Sequence, residues 1–155
     1  MAKKYWLMKS EPDAYSIDDF KGDKTTYWDG IRNYQARNFM MKDMQVGDEF
    51  IFYHSNAKPP GAAGVGVISK AAEPDPTQFD KKSKYFDEKS KTDNPRWHCV
   101  TCKFKSKFKT FIPLPELKEM KPLKNMMLLQ KGTRLSIQPV SAKEFEHIVK
   151  LGQAQ

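Results

Sequence analysis

The sequence predicts an α+β domain, a barrel-like sheet of about five or six short strands with short helices between them. Three observations carry this. Apolar or alternating runs are short and end at Gly, Pro or Asp turns. Helical periods are few, and only the last is long. No linker, repeat or low-complexity block divides the 155 residues, so residues 1–155 read as a single domain.

Lys4 to Lys9 is an apolar run that reads as a buried strand, broken by Glu11-Pro12-Asp13. Ser16 is placed to cap a short helical turn over Ser16-Ile17-Asp18-Asp19-Phe20. Thr25 to Trp28 has strand composition and stops at Asp29-Gly30. Asn33 is the N-cap expected for a helix to about Asp43, with Ala36, Phe39, Met40 and Met44 as its buried stripe and Gln35, Arg37 and Lys42 on another face. After the turn Val46-Gly47-Asp48, Glu49 to Ser55 is the clearest strand of the first half. Gly64 to Ile68 returns beside it as a hairpin-like, antiparallel neighbour.

Residues 73–96 hold three prolines and no period, and read mostly as loop. From Trp97 the alternation is long. His98, Val100, Cys102, Phe104, Ser106 and Phe108 share one face, and Lys103, Lys105, Lys107 and Lys109 share the other. Leu114 to Lys118 opens a short helix with Pro115 near its start, and Leu123 to Leu129 reads as a second. Thr133 to Gln138 is expected to be a strand with Arg134, Ser136 and Gln138 on one side and Leu135 and Ile137 on the other. Ser141-Ala142-Lys143-Glu144 is a capping box leading a terminal helix, with Phe145, Ile148 and Val149 inward and Gly152 as its stop.

The charge is uneven. Residues 1–80 carry 10 basic and 12 acidic side chains, residues 81–124 carry 13 and 5, and the net charge is +8. A localised basic segment is the footprint of a phosphate-rich partner; its plainer reading is a lysine-rich solvated face. No run approaches the ~18–20 apolar residues that span a bilayer, and the N-terminus lacks a secretory signal pattern. A cytoplasmic protein is expected, nuclear if the cell is eukaryotic.

Catalytic signatures are missing: there is no Gly-x-Ser-x-Gly elbow and no phosphate loop ending in Gly-Lys-Ser/Thr. Cys99 and Cys102 have redox or zinc spacing, but on a strand positions three apart face opposite ways. His54, His98 and His147 lack ligand spacing with them, so no metal and no cofactor are expected. What remains is a set of polar segments at strand ends, each beside an aromatic. They are Lys9-Ser10-Glu11-Pro12, Trp28-Asp29-Gly30-Ile31-Arg32-Asn33-Tyr34, Tyr53-His54-Ser55-Asn56 and Arg134-Leu135-Ser136-Ile137-Gln138-Pro139.

Together with Tyr5-Trp6-Leu7-Met8, Gln35-Ala36-Arg37-Asn38 and Pro74-Asp75-Pro76-Thr77-Gln78-Phe79-Asp80, these motifs closely resemble the EVE domain family of the PUA-like superfamily. That family takes in thymocyte nuclear proteins and bacterial EVE domain proteins. The resemblance covers nearly the whole chain. It implies a PUA-like β-barrel and a non-catalytic reader of a modified base in DNA or RNA, modified cytosines such as 5-methylcytosine being the best-supported ligands.

The residues suit that chemistry in their own right. A base taken out of its stack needs an aromatic plate and hydrogen bonds to its edges. Trp28 is the first candidate for the plate and Trp97 the second; the plainer reading of Trp28 is an ordinary core tryptophan. Ser10, Asn33, His54, Ser55, Ser136 and Gln138 are candidates for the base edge, and Leu135 for apolar contact with a methyl group. Arg32, Arg37, Arg134, Lys103, Lys105, Lys107 and Lys109 are candidates for phosphates. Arg134 paired with a carboxylate and Asn33 serving only as a cap are the plainer readings. Two other functions stay open: an enzyme acting on a modified nucleic acid or nucleoside with His54 or Asp29 moving a proton, and a basic module that binds an acidic protein. A monomer is favoured.

Overall fold

The computed structural model describes residues 3–132 and 134–153. Its sheet contains β1 (Tyr5–Ser10), β2 (Thr25–Tyr27), β3 (Glu49–His54), β4 (Gly61–Pro74), β5 (His98–Pro113) and β6 (Ile137–Val140). The helices are α1 (Ile17–Asp23), α2 (Tyr34–Asn38), α3 (Leu114–Lys118) and α4 (Ala142–Gln153). The α+β class and a count of six strands agree with the expectation.

Strand order is β2-β5-β4-β3-β1-β6, which leaves β2 and β6 as edges of an open sheet. The expected antiparallel pattern holds for all neighbours but one: β1 runs parallel to β3, with Tyr5 opposite Glu49 and Ser10 opposite His54. The chain between them carries α1, β2 and α2, and a parallel neighbour requires such a crossover rather than a tight turn. Because β1 and β3 are parallel, their C-terminal ends open at the same end of the sheet.

β5 is about as long as the alternation from Trp97 implied, but β4 is much longer than the expected run from Gly64 to Ile68. β4 has 14 residues and β5 has 16, and their mutual register shifts four times. Each bulge bends the pair and breaks strict alternation, which is why only part of β4 was visible as a pattern. The bend lets β4 and β5 serve both faces of the sheet. Trp6, Met8, Phe50, Phe52, Ile68, Val100 and Cys102 pack on one face with Ile17 and Phe20 of α1. Leu7, Ile51, Tyr53, Val65, Phe108 and Ile112 pack on the other with Phe145 and Ile148 of α4.

Local signals hold where side chains reach only a few residues. Ser16 and Asp19 close a capping box on α1, and Ser141 and Glu144 close one on α4. Asn33 Oδ1 accepts from the Ala36 N–H and starts α2, which continues as a π-helical turn over Phe39–Asp43. Three expectations need correction. Leu123 to Leu129 holds two 3₁₀ turns, Lys121–Leu123 and Met127–Leu129, rather than one helix. β6 begins at Ile137, not Thr133; Thr133 lies outside the described residues, and Arg134 to Ser136 approach the strand as loop. Gly152 does not stop α4 but lies inside it, buried where a Cβ would overlap the Phe108 ring.

Candidate nucleic-acid interface

At the end of the sheet where β1 and β3 finish, a cleft of about 800 Å³ opens. It takes Lys9, Ser10 and Glu11 from the end of β1, Trp28 to Ile31 from the end of β2, Ser55 and Asn56 from the end of β3, and Arg134 and Ser136 from the approach to β6. All four polar segments singled out in the sequence therefore meet in one place. Backbone hydrogen bonds stitch the rim: the Ser55 N–H donates to the Ser10 carbonyl at 3.0 Å, and the Lys9 N–H to the Ser136 carbonyl at 2.8 Å.

Trp28 stands at the floor. Its N–H donates to the Val100 carbonyl at 2.9 Å, which carries the β2–β5 ladder one residue past β2. The indole is 6% exposed and packs edge-on against Phe50 and Phe52, each with ring centres 5.5 Å away. Both readings of this residue meet: it belongs to the core and also lines the cleft.

Beyond Trp28 the chain turns at Gly30, whose φ of +80° lies in the left-handed region. The Tyr85 ring lies against the bare Gly30 Cα, 2.7 Å from where a Cβ would project, so a side chain there would push it off the cleft wall. Tyr85, Lys84, Tyr27 and Tyr15 also line the cleft, and Tyr27 is 54% exposed.

This wall is held by Asp75 and Arg32. Asp75 is fully buried; its Oδ2 accepts from the Gly30 N–H at 2.8 Å and from Arg32 Nη1 at 3.1 Å, while its Oδ1 accepts from the Thr77 N–H. Arg32 also donates to the Tyr85 carbonyl at 2.6 Å and to Thr77 Oγ1 at 3.0 Å. Burial opposes the Asp75 charge, but the hydrogen bonds from Thr77 and Gly30 and the guanidinium outweigh it and hold the carboxyl below its ordinary value.

The structure brings Ser10, Trp28, Ser55, Ser136 and Arg134 of the sequence candidates together in the cleft. The others stand elsewhere. Asn33 is the cap of α2. His54 accepts from the Ile17 N–H through Nε2 at 3.1 Å, and burial pushes its pKa down, so the imidazole serves as a neutral cap for α1. Trp97 stacks on Tyr34 at 4.8 Å and donates through Nε1 to Asp87. Gln138 is buried on the opposite face of the sheet and donates to the Leu135 carbonyl; neither residue lines the cleft.

The cations divide in the same way. Arg32 is bound to Asp75. Arg37 donates to the Arg96 carbonyl and lies over the Tyr34 ring at 4.6 Å. The lysine row forms on the wet face of β5 as expected, but Lys105 pairs with Glu49 and Lys107 with Asp18, and none of the four lysines lines the cleft. Among the described residues, Arg134 is exposed and makes no ion pair, and Lys84 makes none beyond its approach to the Tyr85 ring.

Sequence reasoning missed several lining residues. Lys9, Glu11 and Asn56 fall inside the quoted motifs and were within reach, and Asp29 was considered only as a proton-transfer group. Tyr85 falls in the aperiodic loop, where no local pattern distinguishes it.

Residues 4–151 match the EVE domain family. The chain belongs to that family. Relatives of this EVE domain include thymocyte nuclear protein 1 of Danio rerio, 48% identical over 165 residues that cover 94% of the chain and 71% of the relative. The Homo sapiens protein of the same name is 46% identical, covering 97% and 75%. Among solved structures, human THYN1 protein in complex with 5-methylcytosine-containing DNA superposes on the EVE domain with a TM-score of 0.91 at 45% identity, covering 99% of each chain. A hypothetical protein from Leishmania major superposes with a TM-score of 0.93 at 45% identity, covering 98% and 96%. No helix among the described residues of this EVE domain is long and apolar enough to cross a membrane.

Proposed function

We propose that this chain is a non-catalytic reader that holds one modified cytosine of a nucleic acid in the cleft beside Trp28. The observation that carries the reading is the convergence of four separate segments. They place an indole, three serine hydroxyls and the unpaired Arg134 around one cleft of about 800 Å³, ample for a base and its sugar. Small-ligand sites commonly have volumes of about 300–1,000 Å³ and combine an apolar wall with a few polar groups. The relation to human THYN1 protein, whose structure holds 5-methylcytosine DNA, supports the same ligand class.

In this reading Trp28 and the tyrosines beside it give the base a surface to lie against, which returns about 1–3 kcal/mol against an extrusion cost of similar size. Ser55 and Ser136 meet the base edge, with Ser10 behind them donating to the Tyr15 carbonyl at 2.6 Å. Arg134 and Lys84 take the flanking phosphates and contribute salt-sensitive affinity. The bulged β4–β5 pair is read as the curl of a PUA-like barrel. His54, already committed to Ile17, is not free to move a proton for catalysis.

The test is a fluorescence titration with oligonucleotides that differ by one methyl group on one cytosine. The methylated strand is expected to bind several-fold more tightly, with affinity falling as salt rises. Equal affinity for the two strands rejects the reading. An RNA strand of the same sequence tells which backbone is preferred.

A further inference from the structure

A methyl group alone does not define 5-methylcytosine, because thymine carries the same methyl at the same ring position. The two bases differ at position 4, where cytosine presents an amine donor and thymine a carbonyl acceptor. A cleft that senses the methyl by apolar contact therefore needs a separate group to read that position. Ser55 and Ser136 cannot be that group, because a hydroxyl turns to donate or accept as required.

We propose that the Asp29 carboxylate accepts a hydrogen bond from the exocyclic amine of the bound base and so rejects thymine; the inference rests on the reader function proposed above. Asp29 lines the cleft immediately after Trp28, on the same wall. An ionised carboxylate is an acceptor only, and carboxylates accept from the cytosine amine in known base readout. The other lining carboxylate, Glu11, is already engaged by Asn56 Nδ2 at 2.6 Å. Among the described residues no other side chain and no ion pair engages the Asp29 carboxyl. Asp29 is exposed where it lines the cleft, so its carboxyl can meet a ligand amine. Partial burial and the neighbouring Asp75 charge push its pKa up, while the Arg32 charge and its own N–H act the other way.

The experiment uses single-stranded oligonucleotides, which remove the cost of opening a pair, with 5-methylcytosine, cytosine or thymine at one position. Wild type is expected to favour 5-methylcytosine over thymine by about 10-fold or more, the discrimination of a good base-edge contact. In Asp29→Asn that ratio should fall to about 2-fold or less, because the amide turns its NH₂ toward the thymine carbonyl. The preference for 5-methylcytosine over cytosine should persist in the variant. Asp29→Ser, which also offers a donor, should lose thymine rejection in the same way and guards against misfolding of either variant. Full thymine rejection in both folded variants overturns the proposal and leaves the reader function standing. Equal binding of 5-methylcytosine and thymine by wild type also overturns it, while the comparison with cytosine judges the reader function separately.

Discussion

Replacing Asp75 by alanine is expected to cost about 3–5 kcal/mol of folding stability, which is a fall of roughly 10 °C in Tm for a domain of this size. The cause is a charge left without its partner. Asp75 is fully buried and Arg32 is largely so, and removal of the carboxylate strands the guanidinium and the Gly30 N–H together. Asp75→Asn keeps the shape and one acceptor and should cost less. Base binding should weaken in both variants, because Arg32 also carries the Tyr85 carbonyl and hence the ring that covers Gly30. The linkage to pH follows from the depressed carboxyl. Its contribution is present above the ordinary carboxylate range and is lost as pH falls through the lower folded-state value. The Asp75→Ala destabilisation should therefore be largest near neutral pH and shrink as acid protonates Asp75 in the wild type. Thermal melts of both proteins from neutral to acid pH measure this directly.

Trp28→Ala carries the second large effect. Deleting a buried tryptophan costs about 3–5 kcal/mol, here through the edge-on contacts with Phe50 and Phe52. It also removes the floor of the cleft, so affinity for the methylated strand should drop by the about 1–3 kcal/mol of base–aromatic stacking, some 5- to 150-fold. Trp28→Phe separates the two consequences. It restores part of the core packing and offers a smaller plate, so it should recover more stability than affinity. Chemical denaturation reads the first quantity, and titration well below the melting transition reads the second. Unchanged affinity in folded Trp28→Ala would remove the indole from the site.

Caps, turns and the alternating half of β5 were legible in the sequence because the groups involved are near neighbours along the chain. Ser16 meets Asp19, Ser141 meets Glu144, and Lys103 to Lys109 alternate with inward residues. The bulges between β4 and β5 shift register without leaving a composition signal, so the length of β4 and the curl of the pair were not legible. The site divides along the same line. Its four segments could be picked out because polar residues at strand ends are unusual beside aromatics. The role of each residue could not, because it depends on partners far away in sequence. Arg32 finds Asp75, His54 finds the N-terminus of α1, and Arg37 finds the Arg96 carbonyl. An arginine with a buried partner and an arginine free for phosphate, such as Arg134, look alike until the chain is folded.

Backbone amide chemical shifts during titration with a strand carrying one 5-methylcytosine put the cleft itself to the test. The amides of Asp29, Gly30, Ile31, Ser55, Asn56, Tyr85 and Ser136 should move first and most, at lower concentrations than with the unmethylated strand. Movement confined to Lys103–Lys109 on the wet face of β5, with the cleft amides still, would contradict the account and leave a basic strand that attracts nucleic acid without reading it.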